Sequence, residues 1–298
     1  MPTSSLHRRE LLTLAGAGVA ALTAAPVLAQ DGQVVPPAAY HLGIVTYNIA
    51  ATWDVPTILR ICKSVGLQAA ELRTTHKHGV EPSLSKEERA EVRARFKNEG
   101  VQLWGLGSVC EFHSKNADDV KQQIETCKQF LQLSADLGAK GVKVRPNGLP
   151  KEIPVEKTLE QIGKALAQCG QTAADLGQEV WLEVHGNGTS HPPHIQTIME
   201  TCNHPSVGIT WNSNKTDLKD GKLRPYFEML RPWLKSCHIN ELYGTYPYQE
   251  LFTLLREARY DRVTLVEIPQ KLEPAPGELL LRYYKRLWEE WTGTGRPT

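Results

Sequence analysis

Several large functional classes leave a signature in sequence that this chain does not carry. Its six cysteines (Cys62, Cys110, Cys127, Cys169, Cys202, Cys237) form no C-x-x-C pair, so zinc-ribbon and thioredoxin-type readings fall away. Six in 298 residues are also too sparse for a disulfide scaffold, and they read mostly as core residues. No H-E-x-x-H stretch is present. Charge of one sign is missing too: 34 basic residues face 33 acidic ones, a net charge of +1. A basic face for nucleic acid is therefore not favoured, and no nucleic-acid partner is expected. No short-period repeat or low-complexity block stands out.

What is present reads as a folded globular chain, with 41% hydrophobic and 22% charged residues. Residues 1–29 are set apart. Arg8-Arg9 precede an apolar run, Leu11 to Leu28, that closes on Pro26-Val27-Leu28-Ala29. A basic start, a short apolar stretch and small residues at the end make a signal peptide, and the paired arginines suggest the twin-arginine route. The alternative is a retained membrane anchor. Against it, the run contains Thr13, Gly16, Gly18 and Thr23 and ends at a proline. No cysteine follows for a lipid anchor, and no second apolar run is long enough to span a bilayer. The expectation is a bacterial protein exported to the periplasm or secreted, without a stable membrane anchor after cleavage. Removing Arg8, Arg9 and Glu10 with the segment leaves a formally neutral chain.

Residues 30–39 are polar and Pro-rich, a flexible lead-in. From residue 40 to 298 a single domain is expected, in which short apolar runs alternate with helical patterns. The strand candidates are His41–Asn48, Ala69–Arg73, Gln102–Ser108, Gly141–Arg145, Glu179–His185, Val207–Trp211, Lys235–Asn240 and Arg262–Ile268. The helix candidates are Val55–Ser64, Lys86–Asn98, Ala117–Leu137, Glu156–Leu176, His194–Thr201, Pro225–Leu230, Tyr248–Ala258 and Gly277–Trp291. Ser85 and Glu88 have capping-box spacing, and Gly66, Gly100, Gly138 and Gly177 stand where helices should end. Eight strand–helix units predict an α/β fold, the (β/α)8 TIM barrel. A doubly wound sheet is the second choice, but no G-x-G-x-x-G follows the first strand.

In such a barrel, function sits at the C-terminal ends of the strands. Glu183 and His185 share a face at the end of strand five, and His238 and Asn240 share one on strand seven. Glu267 is embedded in the apolar run of strand eight. An ionisable group in such a strand is costly unless paired, which points to function; the alternative is a structural ion pair. Asn212 and Asn214, ending strand six, can orient a sugar or offer a neutral oxygen to a metal, or simply form a turn. Glu183, His238 and Glu267 make a mixed oxygen and nitrogen site suited to manganese, cobalt, zinc or magnesium.

At these residues the chain resembles the xylose isomerase-like TIM-barrel superfamily of sugar phosphate isomerases and epimerases, in its secreted branch, over about residues 40–291. Four stretches carry the resemblance: Leu182-Glu183-Val184-His185, Val207 to Asn214, Cys237 to Leu242, and Val263 to Ile268. Metal-dependent members hold their ion with Glu, Asp, His and Glu from strands five to eight. The resemblance implies Glu183, His238 and Glu267 as ligands, with Asn212 in the Asp position. That departure removes one negative charge; it weakens metal binding unless His185 substitutes. The secreted branch also includes relatives that act on 3-keto-glycosides by elimination.

Earlier strand ends complete the expected pocket. Arg73, Lys143 and Arg145 are candidates to hold a hydroxyl, carboxylate or oxyanion, and His113 follows strand three. Trp104 and Trp211 are candidates to stack on a sugar, against the alternative of core packing. The implied function is a metal-dependent carbohydrate isomerase, epimerase or 3-keto-glycoside lyase working through an enediolate. Glu183 and Glu267 would move protons, and His185 is a third candidate. The substrate expected outside the cytoplasm is a neutral sugar or glycoside, and a homo-oligomer is compatible with this reading. The competing readings are a metal-free glycoside hydrolase using Glu183 and Glu267 and a non-catalytic sugar-binding barrel.

Overall fold

The computed structural model describes residues 36–294. The expected signal segment, residues 1–29, and most of the lead-in lie outside them. Eight strands alternate with eight helices: β1 (His41–Asn48), α1 (Val55–Val65), β2 (Ala69–Arg73), α2 (Lys86–Glu99), β3 (Gln102–Glu111), α3 (Ala117–Leu137), β4 (Gly141–Arg145), α4 (Val155–Asp175), β5 (Glu179–Glu183), α5 (Pro192–Cys202), β6 (Val207–Asn212), α6 (Arg224–Leu230), β7 (Leu234–Ile239), α7 (Tyr248–Glu257), β8 (Val263–Ile268) and α8 (Pro274–Thr292). All neighbouring strands pair in parallel, and β8 closes back onto β1, with Gly43 opposite Leu265. The expected (β/α)8 barrel is the observed fold.

Local chemistry explains where the elements start and stop. Asp54 accepts the Thr57 N–H at the start of α1, and Ser85 and Glu88 close a reciprocal capping box on α2. Gly66, Gly100 and Gly138 take the left-handed conformation that ends α1, α2 and α3. Gly177 differs slightly: Leu176 caps α4, and Gly177 turns the chain one residue later. β3 runs three residues past its expected end. A register shift between Gly107 and Glu111 lets it keep pairing with β4. β5 stops at Glu183, two residues before His185, which leads into a turn through Gly186 at φ 97°.

Most of the apolar side chains fill the layer between barrel and helices. A smaller cluster plugs the barrel's lower interior, where Trp104 stacks on Trp181 with ring centroids 5.3 Å apart. Gly105 makes room for it: a Cβ there would lie 2.5 Å from the Trp181 ring. All six cysteines are buried and free. Among the described residues, no helix is long and apolar enough to cross a membrane.

Candidate active site

A cavity of about 270 Å³ opens at the C-terminal ends of the strands. Its walls bring together Arg73, Lys143, Arg145, Glu183, His185, Asn212, Asn214, Asn240 and Glu267 from the sequence-based set, and add Val45, Tyr47, Glu241 and Pro269. The alternation of β1 that places Val45 in the barrel also places Tyr47 at the rim. The Arg73 guanidinium lies 5.6 Å from the Tyr47 ring centroid.

At the cavity floor, Glu183, His238 and Glu267 each present a ligand atom, and the three atoms lie within 4.8 Å of one another. His238 Nδ1 stands 3.6 Å from Glu183 Oε1 and 3.7 Å from Glu267 Oε1. His238 is fully buried, below the lining of the cavity itself. Its other ring nitrogen, Nε2, meets Glu71 Oε2 at 3.3 Å. Glu71 is also fully buried, on the inward face of β2. It has no role in the sequence-based site, yet the signal was available: a carboxylate in an apolar strand, as at Glu183 and Glu267.

Each carboxylate is oriented by a neighbour. Lys143 Nζ donates to Glu183 Oε2 at 2.7 Å, and Asn212 Nδ2 donates to Glu183 Oε1 at 3.2 Å. The Asn240 amide, in the orientation that satisfies both groups, donates to Glu267 Oε2 and to the Glu267 carbonyl, each at 3.2 Å. Burial opposes ionisation of Glu183, but the Lys143 ammonium and His238 outweigh it and hold the carboxyl far below its usual range. Burial likewise opposes charging Lys143, and the carboxylates of Glu183, Glu71 and Glu267 overcome it. Lys143 is thus committed to an ion pair rather than standing free for a substrate.

A divalent cation fits these residues. The buried atoms His238 Nδ1 and Asn212 Oδ1 have no hydrogen-bond partner, and both belong to the four side chains of the expected ligand set. Unpaired buried lone pairs beside two carboxylates are what a hard or borderline cation takes up. Glu71 on the far side of the imidazole is the carboxylate that commonly fixes a metal-bound histidine. His185 Nδ1 is also buried without a partner.

Three expected positions do not reach this cavity. Trp104 belongs to the plug at the opposite end of the barrel, where Arg262 covers its ring at 5.0 Å. Trp211 points outward, packs on Phe227 of α6 and donates Nε1–H to the Tyr246 hydroxyl. Neither stacks on a ligand here; Tyr47 is the aromatic side chain that lines the cavity. His113 lines a neighbouring cavity over the ends of β3 and β4.

Residues 59–286 match the family model described as the xylose isomerase-like TIM barrel. No curated protein matches the chain significantly. Among solved structures, the 3-keto-D-glucoside 4-epimerase YcjR from E. coli superposes with a TM-score of 0.69 at 17% identity, over 83% of this chain and 99% of that one. A D-psicose 3-epimerase gives 0.72 at 15% identity, over 85% and 99%. The IolI protein with a bound zinc atom gives 0.72 at 16% identity, over 87% and 100%. With its closed parallel barrel and this matched span, the chain belongs to the xylose isomerase-like TIM-barrel family.

Proposed function

We propose that the protein is a metal-dependent enzyme that isomerises or epimerises a sugar beside its carbonyl group, or eliminates from a 3-keto-glycoside. The observation that carries this reading is the convergence of Glu183, His238 and Glu267 on one point at the catalytic mouth of the barrel. The sugar epimerases among its structural relatives support it. Glu183, His238, Glu267 and Asn212 would hold the ion. A divalent ion there supplies Lewis-acid polarisation of a substrate carbonyl.

The chain's own groups account for the proton movements. Glu183 stays ionised beside Lys143, which suits a ligand and makes it neither a proton donor nor an effective base. Glu267, oriented by Asn240, or His185 on the cavity wall takes the proton from the carbon beside the carbonyl and is left protonated; the same group or the other one then gives a proton to the enediolate. Return to the opposite face gives the epimer, and return to the neighbouring carbon gives the isomer. Loss of an alkoxide one carbon further gives elimination.

The charge of the walls favours a neutral substrate. Lys143 pairs with Glu183 and Arg145 with Glu111, while Arg73 donates to Thr74 O and Thr75 Oγ1. A sugar phosphate would need an uncommitted basic cluster. Arg8-Arg9 and the apolar run behind them support an exported enzyme, which cell fractionation tests. Elemental mass spectrometry of the wild type beside a Glu183→Ala, His238→Ala double mutant tests the metal. About one divalent ion per chain, lost in the mutant, is expected. Ketohexoses and 3-keto-glucosides then report the reaction, which a chelator should abolish. Full turnover in a verified metal-free protein overturns the reading. Tight sugar binding without turnover of any candidate moves it to a binding barrel.

A further inference from the structure

We propose that the cavity over the ends of β3 and β4 is a second sugar subsite, so that the substrate is a glycoside carrying a second polyhydroxyl unit. This rests on the sugar-active reading above and deepens it. The cavity measures about 440 Å³ and is lined by Val109, Glu111, His113, Ser114, Gln122 and Arg145, among others. It meets the main cavity at one side chain, Arg145, which lines both. The main cavity falls just below the range usual for small-molecule sites, roughly 300–1,000 Å³, and this neighbouring cavity lies inside it.

The chemistry of the second cavity suits hydroxyl groups. Glu111 Oε1 accepts from the Arg145 guanidinium and from Asn147 Nδ2 at 2.7 Å, so the carboxylate is fixed and its charge is neutralised. Glu111 Oε2 faces His113 Nδ1 at 3.8 Å, too far for a hydrogen bond. His113 Nδ1 and Arg145 Nε are buried with no partner. Ser114, Gln122 and His113 line the cavity with hydroxyl, amide and imidazole groups that both donate and accept. A sugar ring offers donors and acceptors together. A phosphate would meet the fixed Glu111 carboxylate, and an apolar group would leave those groups unpaired.

Calorimetry with glucose, maltose and cellobiose tests the subsite on the whole chain, independently of turnover. At least tenfold tighter binding of one disaccharide than of glucose is expected. Val109→Trp, which fills the second cavity, should remove that margin and leave glucose binding within twofold. Gln122→Trp, on the exposed flank of α3, serves the same purpose should Val109→Trp not fold. Glu111→Gln should weaken disaccharide binding at least fivefold. Disaccharides that bind no tighter than glucose, or not at all at millimolar concentration, overturn the proposal. So does an equal loss for glucose and disaccharide in Val109→Trp. The reaction reading fails separately: a disaccharide margin with no turnover of the matching 3-keto disaccharide removes the reaction and leaves the subsite.

Discussion

Glu71 Oε2 lies 3.3 Å from His238 Nε2 below the cavity floor, and both side chains are fully buried. With an ion on Nδ1, which faces Glu183 and Glu267, the remaining ring proton sits on Nε2 and is held by that carboxylate. Glu71 is therefore a positioning residue for the imidazole. Glu71→Gln should lower affinity for manganese or zinc by about 10–100-fold, the usual effect of losing such a partner. Calorimetric titration of the metal-stripped protein measures it, with circular dichroism to verify folding. Unchanged affinity in a folded variant would show that the contact only fills the barrel.

Lys143 and Glu183 form an ion pair at 2.7 Å with almost no solvent contact. Removing one partner of such a pair strands a buried charge and typically costs about 3–5 kcal/mol. Metal-stripped Lys143→Met should be destabilised on this scale in a denaturant titration. Adding Glu183→Gln should recover most of the loss, because the stranded charge is gone. A double mutant as unstable as the sum of its two single mutants would show that the ion pair contributes no coupling.

The barrel and the cluster of Glu183, His238 and Glu267 were largely legible, because a carboxylate or imidazole inside an apolar strand is conspicuous. Strand ends were found to within three residues. Orientation was harder to read. Parallel barrel strands are apolar on both faces, so period-two alternation does not tell inside from outside. Trp104 points inward and Trp211 outward, yet each follows a short stretch with two apolar residues, Val101 and Leu103 for one and Val207 and Ile209 for the other, that does not tell the two directions apart. Depth was illegible as well: Trp104 faces inward but near the wrong end, and Tyr47 occupies the rim. Glu71 stood beside Arg73 and passed as part of a polar strand end, since its partner His238 is 167 residues away.

Asn212 stands where metal-dependent relatives are expected to carry Asp, and its amide donates to Glu183 while its Oδ1 has no partner. Asn212→Asp adds a negative ligand to the cluster. In the metal-free protein it replaces a hydrogen bond with like-charge repulsion, so the melting temperature should fall. With manganese in excess the same charge becomes an asset, and affinity should rise at least tenfold, as ligand charge count tunes cation sites. Scanning calorimetry with and without manganese reads both signs. A variant that shifts in the same direction under both conditions would mean that Asn212 lies outside the ligand set.

Asp217 supplies a test by pH away from the ligand cluster. It sits in the loop after β6, fully buried, and its Oδ2 accepts from the Tyr246 hydroxyl and from Asn214 N–H, each at 2.8 Å. Tyr246 also accepts from Trp211 Nε1–H, and Asn214 lines the cavity, so this carboxyl braces one cavity wall. Burial pushes it up from the ordinary 3.8 to about 7. Between those values the folded chain holds a proton that the unfolded chain has released. Its stabilising contribution is complete below about pH 4, declines as pH rises through 7, and is level above. The full change is up to about 4 kcal/mol. Asp217→Asn keeps an oxygen for both donors and carries no titrating group, so its stability should fall less than that of the wild type between about pH 4.5 and 8. Denaturant unfolding at both ends of that window measures the difference. Equal slopes for the two proteins would show that Asp217 titrates in the ordinary carboxylate range and that its burial is relieved by water.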